Sequence, residues 1–133
     1  MWGTLKNHGH IEFYEECHRG RQSESEDWMP MVRAIEYLQS GREASKLYAF
    51  TSLYQFHLTT APGYETCDEH CSISIIWRWP ERRFHIAFGR LGNGWVNDRV
   101  PEIDCDQSSF ARSIEPFIVR LLRSSPANTD GFT

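Results

Sequence analysis

The stretch from Ser72 to Arg90 constrains the fold most, because its large apolar side chains recur at every second residue on both sides of a turn signal. In Ser72-Ile73-Ser74-Ile75-Ile76-Trp77-Arg78-Trp79, the residues Ile73, Ile75, Trp77 and Trp79 fall on one side of a pleat whose side chains alternate with period two. Ser72, Ser74 and Arg78 fall on the other side, with Ile76 the apolar exception. Pro80-Glu81-Arg82-Arg83 suits a four-residue loop, since proline supplies the dihedral needed at the second position of a type I turn. On the return, Phe84, Ile86 and Phe88 alternate with His85, Ala87 and Gly89, and pairing Trp79 with Phe84 puts both apolar rows on one face. At roughly 1.5 to 3 kcal/mol per buried large side chain, that face is worth on the order of 10 to 20 kcal/mol before chain entropy, enough to fix a strand register. It requires a cover.

Two helices are predicted to provide it. Trp28, Met31, Val32, Ile35 and Leu38 recur at helical spacing, with Asp27 placed to cap the first turn, Pro30 inside that turn and Gly41 positioned to end the helix in a left-handed residue. Phe110, Ile114, Phe117, Ile118, Leu121 and Leu122 form a second stripe over about 109–123. Pro116 interrupts it, and the cleaner solution makes Ser113 the cap of a shorter helix; the alternative is one kinked helix. Leu47 to Thr59 reads as one long strand, ended by Ala61-Pro62-Gly63. Asn93-Gly94 suits a type I′ turn leading into a third meander strand, Trp95 to Val100, after which Glu102 to Asp106 reads as loop. His10 to Cys17 reads as an edge strand, residues 1–22 as an edge strand or arm, and residues 124–133 as a frayed tail. The expectation is an α+β fold, with an antiparallel sheet of three to five strands built around hairpin 72–91 and covered on one face by helices at about 27–40 and 109–123.

A length of 133 residues with 40% hydrophobic content accommodates one core, hence a single domain over 1–133. The net charge of −4 offers a phosphate backbone no attraction, so nucleic acid is not an expected partner. No stretch approaches the ~18 apolar residues of a membrane span, and Met1-Trp2-Gly3-Thr4-Leu5-Lys6 lacks the pattern of an export signal. The expected compartment is therefore the cytoplasm, without membrane association and with reduced thiols.

Three constellations carry chemistry. Cys67-Asp68-Glu69-His70-Cys71 offers thiolate and imidazole ligands that a zinc ion takes in a tetrahedron, with Cys17-His18 or Cys105 completing the set if the fold brings them close; the ordinary alternative is a solvated acidic loop with one or two cysteines against the core. Asp68 and Glu69 raise the cost of forming thiolates there, which argues against a redox dithiol. Arg78, Arg83 and His85 share the polar face of the hairpin, joined by His57 from the neighbouring strand; they suit an anion or acid–base work by the histidines, against the ordinary reading of a solvated sheet face. Gly89-Arg90-Leu91-Gly92-Asn93-Gly94 resembles a phosphate loop only in composition, since it lies between strands and opens no helix. His8, His10 and His18 read as surface histidines of an arm.

Five tryptophans, five tyrosines and eight phenylalanines exceed what two short helices cover, which points to an aromatic contact surface or to a thick core with helices on one side of the sheet and the N-terminal arm on the other. The function expected from these features is a non-catalytic binding or protein-interaction module without a resident cofactor, acting on a protein partner as small immunity or inhibitor proteins do, or by self-association. The competing expectation is a zinc-binding or histidine-dependent enzyme.

Overall fold

The computed structural model describes residues 2–92, 95–97 and 101–125. In chain order the elements are β1 (Trp2–Thr4), α1 (Gly9–Arg19), α2 (Met29–Gln39), β2 (Tyr48–Ser52), β3 (Gln55–Thr59), β4 (Cys71–Arg78), β5 (Arg83–Gly92), β6 (Trp95–Asn97), β7 (Glu102–Cys105) and α3 (Phe110–Arg123). Short 3-10 turns occupy Ala44–Lys46 and Tyr64–Glu69. The fold is α+β. Among the described residues its antiparallel sheet has seven strands, in the order β1-β2-β3-β4-β5-β6, with β7 sharing the outer edge of β5 with β6.

The hairpin that organises the sequence organises the sheet. Ile73, Ile75, Trp77, Phe84, Ile86 and Phe88 are all buried, and they join Phe56, Leu58 and Ala49 beneath side chains from the three helices. The pairing differs from the predicted one by two residues: Trp77, not Trp79, lies opposite Phe84, and the last pair is Arg78 with Arg83. A slip of two preserves the face of every side chain, so the apolar rows stay together. As second residue of the loop Trp79-Pro80-Glu81-Arg82, Pro80 keeps its type I position, while Arg82 closes the loop at φ 56°.

Four expectations need correction. Leu47 to Thr59 is two strands, because Ser52 pairs with Gln55 and the chain reverses through Leu53-Tyr54. Glu102–Cys105 is strand, not loop, since Pro101 accepts a hydrogen bond from the Phe88 amide and leads the chain alongside β5. His10 to Cys17 is helix: glutamate suits a helix better than a strand, and His10, Ile11 and Tyr14 make a buried stripe with Glu12 and Glu16 facing solvent. The edge strand of the N-terminal segment is Trp2–Thr4 instead, paired with β2. Finally α3 is one helix across Pro116, capped at Ser109 rather than Ser113. The proline deprives the Arg112 carbonyl of its partner, but Arg112 and Pro116 both face solvent, where water replaces the bond.

At the start of α2 Asp27 acts one residue earlier than predicted, its Oδ1 accepting from the Met29 amide at 3.0 Å with Trp28 at the cap position. Gly41 bonds back to the Leu38 carbonyl without the left-handed conformation expected of it. The Asn93-Gly94 turn, the predicted strand residues Asp98 to Val100 and most of the predicted tail lie outside the described residues. No helix among the described residues is long and apolar enough to cross a membrane.

The second face of the sheet carries a smaller cluster in which Phe50, Cys67 and Leu91 are buried with Trp2 packed on them. Trp2 stacks on Phe50 at 4.2 Å and Phe50 on the His57 ring at 4.6 Å. Part of the aromatic surplus is therefore spent here.

Candidate functional site

The sequence-predicted metal ligands do not converge. Cys67 packs on the second face of the sheet with Phe50 and Leu91, whereas Cys71 and Cys17 pack against the main core on the helical side. His70 Nδ1 lies 2.8 Å from the Thr60 hydroxyl, and the His70 carbonyl accepts the Leu91 amide. Burial pushes the Cys17 thiol above its usual range, with Glu26 and Glu16 adding to the effect. Among the described residues no three His, Cys, Asp or Glu side chains are placed to hold a metal ion.

The polar sheet face is partly assembled. Arg78 and Arg83 are direct cross-strand partners, and His85 follows on the same face. Strand β7 then brings two carboxylates that the loop reading of Glu102 to Asp106 concealed. His85 Nδ1 lies 2.7 Å from Asp104 Oδ1 and Nε2 lies 3.2 Å from Glu102 Oε2, with Arg78 3.9 Å from Asp104. The His85 hydrogen bond, opposed by slight desolvation and aided by the nearby Arg78 and Arg83, holds the Asp104 carboxyl below the ordinary 3.8. With carboxylates on both ring nitrogens, His85 presents no free nitrogen as a base. His57 sits elsewhere on that face, opposite Ser74 and buried under Phe50. From strand spacing and rise it is roughly 12 Å from His85.

A cavity of about 540 Å³ opens between the end of α2, the 41–47 connection and α3. Its polar groups are already matched in part: Lys46 pairs with Glu43 at 2.8 Å, and Tyr37 donates to Glu115 at 2.5 Å. That hydrogen bond, with burial, pushes the Tyr37 hydroxyl up to about 12. Its described lining includes no serine, threonine, cysteine or histidine.

The most unusual local structure is the β2–β3 turn. Leu53 and Tyr54 both occupy the left-handed region, at φ 51° and 67°, the pair of dihedrals a type I′ turn demands and Asn-Gly normally supplies. Leucine and tyrosine each meet a steric cost of roughly 1 to 2 kcal/mol there. Their side chains do not recover it by burial: Leu53 is 73% and Tyr54 56% exposed.

The turn is nevertheless held firmly. Tyr14, wholly buried, donates its hydroxyl to the Tyr54 carbonyl at 3.0 Å, and burial raises that hydroxyl's pKa far enough to keep it a neutral donor. The Tyr54 ring stacks on Trp28 at 5.6 Å and meets Phe13 at 6.0 Å. Phe13, from α1, is itself 36% exposed, so Leu53, Tyr54 and Phe13 form an apolar tip with Glu12 and Glu16 beside it. Sequence reading missed this surface. Its one signal was Ser52, the polar residue that breaks the apolar parity from Tyr48 to Leu58 and marks the last position before the bend.

No protein-family model matches the chain, and neither a curated protein nor a solved structure matches it.

Proposed function

We propose that this chain is a non-catalytic protein-binding module that docks through the Leu53-Tyr54 turn and Phe13. The observation that carries the reading is the left-handed pair of bulky, exposed residues clamped from below by Tyr14 and Trp28. Backbone strain of this kind persists where the side chains it presents have a use, and a clamped aromatic loses little freedom when a partner covers it. Tyrosine and neighbouring aromatics are also the side chains that dominate protein interfaces.

The rim favours a partner of different sequence. A two-fold contact through this tip would bring the Glu12 and Glu16 carboxylates of two copies together, and like charges across an interface oppose it. The partner therefore carries an apolar pocket with a basic rim. The test is co-purification from the cells that make the protein, comparing the native chain with Leu53→Asn and Tyr54→Ser variants shown to be folded by a cooperative melt. The reading expects one stoichiometric partner, identified by mass spectrometry, that the variants lose. Equal retention by the variants, or a native chain that binds nothing, contradicts it.

A further inference from the structure

We propose that the groove between α2 and α3 binds a single-chain amphiphilic anion, a hydrocarbon tail ending in a carboxylate. The inference goes beyond the docking reading, and the groove shares no lining residue with the Leu53-Tyr54 tip. The cavity of about 540 Å³ at the end of α2 is continued along the same two helices by a second of about 200 Å³ between Ala34 and Phe110, and Tyr37 lines both. They are successive lengths of one groove, spanned by the Tyr37 hydrogen bond to Glu115.

The walls of the wider length suit a hydrocarbon. Leu38, Ala44 and Leu47 line one side, and Ile118, Val119 and Leu122 of α3 line the other. Val119 stays 45% exposed there, apolar surface that a guest would take out of water. A concave space of this volume, mostly apolar with a few polar groups, is the usual form of a small-molecule site.

The charges select the head group. Arg42, Lys46 and Arg123 line the cavity against Glu43 and Glu115. Both carboxylates are already engaged, Glu43 by Lys46 and Glu115 by the Tyr37 hydroxyl. Arg42, just past the end of α2, and Arg123, in the last turn of α3, have no ion pair or hydrogen bond among the described residues. A helix C-terminus favours a cation by itself, which accounts for either arginine alone. It does not account for two unpaired guanidinium groups lining one apolar cavity whose acids are taken. A carboxylate offers a guanidinium two acceptors in one plane, while the tail behind it lies along the apolar walls. A cationic head would meet the two arginines with no free acid to hold it.

The test is an amide NMR titration of the full chain with octanoate, against octylammonium and 1-octanol, which keep the tail and change the head. The expected result is saturable shifts at Ala44, Leu47, Ile118 and Val119, half-complete at about 0.1 to 2 mM for so small a probe. From hexanoate to decanoate the affinity rises about two- to fourfold per methylene. Octylammonium gives no saturable shift, and 1-octanol at equal concentration shifts these amides by roughly a third as much or less. Arg42→Gln and Arg123→Gln, both at exposed positions, each weaken octanoate binding about threefold or more. Equal response to octylammonium, no dependence on chain length, indifference to both substitutions, shifts confined to other regions, or no response overturns the proposal. Sedimentation with phosphatidylserine vesicles in a chain that ignores octanoate also overturns it, in favour of a bilayer surface. Leu53→Asn leaves octanoate binding unchanged, so this proposal and the docking reading fail separately.

Discussion

Hairpin β4–β5 bends through Trp79-Pro80-Glu81-Arg82 and hairpin β2–β3 through Leu53-Tyr54, and both place non-glycine residues in the left-handed region. The difference lies in where the strained residues direct their side chains. Arg82 turns inward to the fold: its guanidinium donates to Asp27 Oδ2 at 2.9 Å and lies 5.3 Å from the centre of the Trp77 ring, while Trp77 Nε1 donates to the Asp27 carbonyl at 2.6 Å. The bend is thereby tied to the start of α2, and its strain is offset within the molecule. Leu53, by contrast, is 73% exposed, while Tyr54 beside it rests its ring on Trp28 and is still 56% exposed. A strained residue that supports its own fold needs no outside reason, whereas one that supports nothing internal directs attention to what lies outside.

Substitutions separate the two hairpins most widely at their cores and tips. Phe84, wholly buried between Trp77 and Phe110, is expected to lose about 3 to 5 kcal/mol as Phe84→Ala in a denaturant titration, whereas Tyr54→Ala loses about 1 kcal/mol or less. A similar cost at both sites would mean that the tip is part of the core.

The Asp27 tie gives the next largest effect, and it depends on pH. Partial burial opposes ionisation of Asp27, but the Arg82 hydrogen bond, the Met29 amide and the nearby Arg82 and His18 charges outweigh it and hold the carboxyl below 3.8. A folded value below the unfolded one adds stability that is complete above about pH 4 and fades as pH falls through the folded value. Asp27→Asn is expected to cost about 1 kcal/mol at neutral pH and to flatten the acid limb of melting temperature against pH below about 4. An unchanged acid limb would assign that limb to other carboxylates, Asp104 and Asp106 first.

Leu53→Asn sharpens the contrast by acting in the opposite direction. Asparagine accepts the left-handed region, so this variant is expected to gain about 0.5 to 1 kcal/mol while losing partner binding. At the other tip Glu81→Ala, at an exposed position, is expected to stay within about 0.5 kcal/mol and to leave partner binding intact.

How much of this was legible in the chain follows the same division. The β4–β5 face was readable because strict alternation survives a two-residue slip, and Trp77 to Phe84 carries the same parity as Trp79 to Phe84. The β2–β3 bend was hidden because Leu53 and Tyr54 are strand-like residues with no turn chemistry, and only Ser52 interrupts the pattern. Strand β7 was concealed by its charges: Glu102 and Asp104 suit a loop until Arg78 and His85 are set beside them across the sheet. Spacing also cannot express where the two cysteines pack, Cys67 against the second face of the sheet and Cys71 against the main core. The strained Leu53-Tyr54 tip required the dihedral angles themselves.

Site-specific photo-crosslinking inside the cell compares the two bends under one condition, with the same photoreactive phenylalanine analogue placed at Tyr54 in one variant and at Glu81 in another. The account predicts a single discrete adduct from position 54, of one identifiable protein, and none from position 81. Adducts of equal yield and identity from both positions, or from neither, would contradict it.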